Sequence, residues 1–230
     1  MFYWDPTYIL VIIGAVLSLM ASGKVKSTYA KYSKVRSMSG MTGADAAARI
    51  LRQAGLYGVR IERVEGNLTD HYDPRSKVLR LSNGVYGSNS IAAIGVAAHE
   101  CGHAIQDQEA YGPLKFRNVL VPVASFGTQI AWPIILVGVL FASSRFLINT
   151  GIILFSLGVL FQLVTLPVEF NASNRAIAVL ESGGMLYGDE VKGARKVLNS
   201  AALTYVAAAA ASILSLLQLV LLFGGRRRND

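Results

Sequence analysis

The amino-acid sequence predicts a predominantly α-helical, multi-pass membrane protein with a small α+β part outside the bilayer. Three observations lead there. Uncharged apolar blocks too long for a soluble core recur along a 230-residue chain that is 53% hydrophobic and only 16% charged. Between the first two blocks the chain is polar and carries stretches of period-two alternation, the mark of short strands. An apolar helix then runs into a cluster of histidine and glutamate at residues 99–103.

About four transmembrane helices are expected. The first covers residues 2–22, where an apolar run from residue 8 to 21 is extended by the interfacial aromatics Phe2, Tyr3 and Trp4. A cleaved signal peptide would carry basic residues ahead of the run, whereas the first charge here is Asp5. Residues 119–142 and 146–167 are free of charge and flank Ser143-Ser144-Arg145, so they form a helical hairpin. The last span, 201–223, is closed by Gly224-Gly225 and Arg226-Arg227-Arg228, and its alanine run at 207–211 suits close packing between membrane helices. No span carries an acidic or basic side chain in its interior, which argues against a metal transporter.

Lys24, Lys26, Lys31, Lys34 and Arg36 follow the first span directly. The positive-inside rule therefore assigns residues 23–118 to the cytoplasm, 168–200 to the same side and both termini to the outside, although Arg226, Arg227 and Arg228 run against that assignment. The net charge of +8 is met by anionic lipid facing these juxtamembrane residues, and no nucleic-acid partner is needed. A single cysteine, Cys101, excludes an intrachain disulfide.

Within residues 23–118 a helix is expected from 42 to 56, with Ala46, Ile50, Leu51 and Ala54 as its apolar stripe and Gly55 at its end. Two short strands follow, at residues 59–64 and at Val78-Leu79-Arg80-Leu81-Ser82. Asp73-Pro74-Arg75-Ser76 supplies a turn between them, so the pair is expected to form a hairpin. The second strand lies just before the motif helix and is a candidate ledge on which a substrate backbone could be added as a further strand.

Ser88 or Ser90 caps a helix that runs through apolar residues 91–98 into His99-Glu100-Cys101-Gly102-His103. Residues i and i+4 of an α-helix lie about 40° apart around the axis, so His99 and His103 reach one metal ion from one face. Glu100 then sits beside the ion, placed to take a proton from a water that attacks a carbonyl. Cys101 points away from that face and is expected to pack. A catalytic zinc ion takes three protein ligands and leaves a position open. Glu169, just past the third span, stands out as a carboxylate that the hairpin returns to the same side, with Glu181 the next candidate along the segment. His71, the remaining histidine, would contact substrate or stabilise an oxyanion if it is more than a loop residue.

The stretches His99-Glu100-Cys101-Gly102-His103-Ala104-Ile105-Gln106 and Pro167-Val168-Glu169-Phe170-Asn171-Ala172-Ser173, with Asp70-His71-Tyr72-Asp73-Pro74, resemble the YugP-type neutral zinc metallopeptidases of bacterial membranes. The resemblance covers most of the chain. It implies a zincin-like extramembrane part and a gluzincin-like site in a multi-pass protein of the bacterial cell membrane, with one catalytic Zn2+ held by His99, His103 and Glu169 and with Glu100 as base. The HtpX-like membrane peptidases look similar in layout, and there an aspartate four residues after the ligand glutamate orients the first histidine. Here that position is Ser173, so Ser173, Asn171 or Asn174 is expected behind the histidines, and Arg175 is a candidate for stabilising an oxyanion. The resemblance implies an endopeptidase acting on peptide or membrane-protein substrates. The rival reading is a catalytically silent membrane scaffold or regulator that retains a structural metal site.

Overall fold

The computed structural model of the chain describes residues 5–141 and 144–224. The expected aromatics Phe2, Tyr3 and Trp4, the end of the second span at Ala142, Ser143 of the hairpin turn and the Arg226, Arg227 and Arg228 cluster lie outside the described residues. The elements in chain order are α1 (Tyr8–Tyr32), α2 (Gly43–Gln53), β1 (Arg60–Val64), β2 (His71–Asp73), β3 (Val78–Ser82), α3 (Asn83–Tyr86), α4 (Ile91–Gln108), α5 (Gly112–Leu140), α6 (Arg145–Ser182) and α7 (Asp189–Gly224). Among the described residues four helices, α1, α5, α6 and α7, are long and apolar enough to cross a membrane. The chain divides into two units, one of residues 1–22, 116–166 and 204–230, the other of residues 23–115 and 167–203.

The first unit holds the apolar lengths of the four long helices. Its large side chains point outward, Leu19, Phe126, Leu140 and Phe146 among them, an arrangement suited to hydrocarbon surroundings. Small residues set the approaches between helices. A Cβ on Gly14 would lie 3.0 Å from the Ala211 backbone, at the end of the alanine run, and one on Gly151 would lie 3.0 Å from the Ala131 carbonyl oxygen.

The second unit is built around α4. Its N-cap is Ser90, whose hydroxyl accepts from the Ala93 N–H at 3.2 Å, and residues 91–98 are buried apart from the half-buried Val96. A helix apolar all round needs cover on every side. Part of that cover is α2, which starts in a capping box between Thr42 and Asp45 and ends near Gly55 at φ +71°. Its stripe of Ala46, Ala47, Ile50 and Leu51 joins Leu79, Leu81, Ile94, Ala97 and Leu180 in one core.

The strands depart from the expected hairpin. β1 pairs with β3 in parallel, and the short β2 pairs antiparallel on the other side of β3, giving the order β1-β3-β2. The Asp73-Pro74-Arg75-Ser76 turn joins β2 to β3. Alternation along a strand reports which face is buried and says nothing of direction, and a three-residue strand is too short to show a period. Residues 78–82 are therefore the central strand, engaged from both sides and mostly buried, and cannot serve as an open ledge.

The helix ends also differ from the expected segment boundaries. α1 continues through Lys24 and Lys31 to Tyr32, and α6 continues through Pro167 to Ser182. Residues 168–200 are the tail of α6, a turn and the head of α7. Proline lacks one donor, but it does not stop a helix whose surroundings keep the freed backbone satisfied.

Candidate metal centre

Two helix stripes make the site. On α4, residues 99, 102, 103 and 106 follow helical spacing, and on α6 residues 168, 169, 172 and 173 do the same. They meet at Gly102, where an added Cβ would lie 2.6 Å from the Ala172 carbonyl oxygen. No side chain fits there. This close approach carries Glu169, only 2% exposed, to the two histidines. His99 Nε2 lies 3.3 Å and His103 Nε2 3.7 Å from the same Glu169 Oε2 atom.

These three groups are the metal-ligating cluster found among the described residues, and their ligand atoms all lie within 4.8 Å of one another. Zinc bound tetrahedrally at about 2.0–2.2 Å sets its ligand atoms roughly 3.3–3.6 Å apart, close to the 3.3 and 3.7 Å between the Glu169 oxygen and the two histidine nitrogens, so a donor set of two imidazoles and a carboxylate suits the ion. Burial alone would lower the His103 pKa, but the hydrogen bond and charge of Glu169, with Glu100 and Gln106, outweigh it and hold the ring above its ordinary value.

The outer nitrogens of both rings are occupied. His99 Nδ1 lies 3.1 Å from Ser173 Oγ, so serine stands behind the first histidine, at the expected position. His103 Nδ1 lies 3.0 Å from Gln106 Oε1. The place of the proton is fixed by the chain of bonds behind Gln106. Arg175 Nε can only donate, and it meets Asn171 Oδ1 at 2.7 Å. Gln106 Nε2 donates to that same oxygen at 2.9 Å and to the Val168 carbonyl at 2.8 Å. The Gln106 amide is thereby oriented with its oxygen toward His103, so His103 Nδ1 carries the hydrogen and Nε2 keeps its lone pair for a metal. Gln106 is fully buried and was missed in the sequence. Its position three residues after His103 on the same helix was the available signal.

Other expected residues lie elsewhere. The Arg175 guanidinium is given to Glu109 at 2.7 Å and to Asn171, not to the cluster. Asn174 is exposed. His71 starts β2, is exposed, and bonds the Thr69 carbonyl at 2.8 Å, apart from the other two histidines. Cys101 is buried against α2, 3.8 Å from the Ala47 carbonyl, and burial, followed by the Glu100 charge, pushes its thiol pKa well up.

Glu100, 9% exposed, accepts the Tyr72 backbone N–H at 3.1 Å. Tyr72 is thus the residue of β2 whose N–H faces away from β3, and β2 is the sheet edge beside α4. A second bond, from Tyr72 Oη to Asp107 at 2.8 Å, and the Lys77–Asp107 ion pair at 2.5 Å tie the β2–β3 hairpin to the same helix.

The fold and the cluster define a class: a helical protein with membrane-crossing helices and a buried centre of two histidines and one carboxylate that could hold a divalent metal ion. Within that class, the family described as "Putative neutral zinc metallopeptidase" matches residues 7–224, and the chain belongs to this family. It is 52% identical over 224 residues to the "Putative membrane protease YugP" of Bacillus subtilis (strain 168), covering 96% of this chain and 99% of that one. No solved structure matches the chain significantly.

Proposed function

We propose that the chain is a membrane-embedded, zinc-dependent endopeptidase, gluzincin-like in its HExxH helix and distant glutamate, that cleaves membrane proteins or unfolded segments at the cytoplasmic surface. His99, His103 and Glu169 hold one zinc ion, and Glu100 is the general base. The observation that carries this reading is the convergence of two histidine Nε2 atoms on one buried Glu169 oxygen. When bound, zinc supplies Lewis-acid chemistry to a carbonyl and to water. The Glu100 carboxylate takes a proton from the attacking water and passes it to the leaving amide nitrogen, so one side chain serves as base and then acid. Ser173 and Gln106 hold the two imidazoles in the tautomer that presents Nε2. Substrate backbone aligns along the outer edge of β2, which Tyr72 holds beside Glu100 by donating its N–H to that carboxylate. A scaffold with a structural metal would close a fourth position with a protein ligand, and the cluster among the described residues has three.

Glu100→Gln separates the readings. Purified wild type should digest casein, and the variant should not, while both retain about one equivalent of metal, since the change removes the base and spares the ligands. Equal digestion by the two proteins would sink the mechanism.

A further inference from the structure

We infer that a basic hollow between α1 and α7 is a binding site for the headgroup of an anionic phospholipid. The hollow has a volume of about 540 Å³, within the range of small-ligand sites. Its walls are two helical stripes. Lys24, Thr28 and Lys31 lie at i, i+4 and i+7 on α1, and Lys196 and Asn199 lie at i and i+3 on α7.

The lining contains three ammonium groups and no carboxylate. Among the described residues neither Lys24, Lys31 nor Lys196 is in an ion pair. Asp189, on the same helix, is bonded to Lys192 at 2.8 Å and does not line the hollow. Three like charges around one hollow repel, and an anion placed between them relieves that repulsion. The side chains of Thr28 and Asn199 also have no hydrogen-bond partner among the described residues, so a hydroxyl and an amide remain to meet phosphate and glycerol oxygens.

The position along the two helices selects the source of the anion. α1 is uncharged from residue 8 to 23 and becomes basic at Lys24, and α7 is uncharged from residue 197 onward. Both stripes therefore stand at the polar ends of apolar spans, the level at which a lipid phosphate resides and at which clustered lysines recognise anionic lipids. The Lys stems, Tyr32 and Leu203 provide an apolar floor compatible with the glycerol and first methylenes.

The test uses full-length protein in detergent micelles doped with phosphatidylglycerol, with phosphatidylcholine, or with inorganic phosphate, and reads retained lipid by native mass spectrometry and the thermal midpoint. Phosphatidylglycerol should bind and raise the midpoint, whereas phosphatidylcholine and inorganic phosphate should not. The Lys24→Gln, Lys31→Gln, Lys196→Gln triple variant should lose affinity on the order of 100-fold, and Lys196→Gln alone about fivefold, at roughly the contribution expected of each lysine near a charged surface. A Lys26→Gln, Lys34→Gln control on exposed lysines outside the hollow should change affinity far less. Equal losses in the triple variant and the control would reduce the effect to diffuse charge and overturn the site. A midpoint raised as much by phosphate, or by phosphatidylcholine, would overturn the lipid assignment. Should the triple variant not fold, the three additives on wild type and the single Lys196→Gln variant decide the question.

Discussion

Glu169 Oε2 is the atom on which the site turns, because both histidines face it and among the described residues neither is paired with another carboxylate. Glu169→Ala should lose metal and activity together, with a fall in affinity at least as large as the roughly 10–100-fold typical of groups one layer farther out. Glu181→Ala, at an exposed position near the end of α6, should keep both. Metal content of the purified variants, measured beside casein turnover, decides the matter, and full occupancy in Glu169→Ala would refute the cluster. Glu190 looks like a second neutral control in the sequence, yet it is buried and accepts the Met38 and Tyr187 N–H groups at 2.7 and 3.3 Å. Glu190→Ala should therefore cost stability, about 1–3 kcal/mol for donors left unsatisfied, without touching metal affinity. Gln106 acts through the His103 tautomer. Gln106→Leu should weaken metal binding about 10–100-fold, and Asn174→Ala should not, as read by competition with a chromophoric chelator.

At the scale of elements, the crossing of α4 and α6 is what turns separated residues into one site. Gly102 permits it, since the Ala172 carbonyl oxygen occupies the space a side chain would need. Gly102→Ala forces backbone apart from backbone. The expected result is a loss of about 1–3 kcal/mol in stability together with weakened metal binding, because the displaced helix carries Glu169 away from both rings. Thermal unfolding with and without a chelator checks this: wild type should lose stabilisation on chelation, and the variant should be less stable and respond less. An unchanged midpoint and an unchanged chelator response would show that the contact yields. The hairpin of β2 and β3 is anchored to the same helix through Asp107, so α4 positions both the metal cluster and the strand edge beside it.

For the whole molecule, the positive-inside rule, applied to four apolar helices and the basic residues after the first of them, leads us to propose that the cluster, Lys31 and residues 168–200 lie on the cytoplasmic side. The expectation is checked with single cysteines in a Cys101→Ala background, labelled on intact cells by a membrane-impermeant thiol reagent. Arg145→Cys should react and Lys31→Cys should not. The opposite pattern would invert the topology and move the proposed proteolysis to the outer face. The headgroup site on α1 and α7 would keep its chemistry but face the other leaflet.

Much of this was legible in the chain because the signals are local. Long uncharged runs mark helices that could cross a membrane, the i and i+4 histidines share a face by helix geometry alone, and the serines at 88 and 90 announce the helix that carries them. Residues 78–82 were correctly read as a strand beside residues 59–64, but the direction of that pairing and the second partner β2 were not, since parallel and antiparallel pairing leave the same alternation in the sequence. The bonds of Gln106 to Val168 and Asn171 and the turn of Tyr72 toward Glu100 depend on contacts between residues 28 to 65 positions apart. Only tertiary structure decides those contacts, because a hydrogen bond is set by distance and angle in space, and no periodicity along the chain encodes which helix faces which.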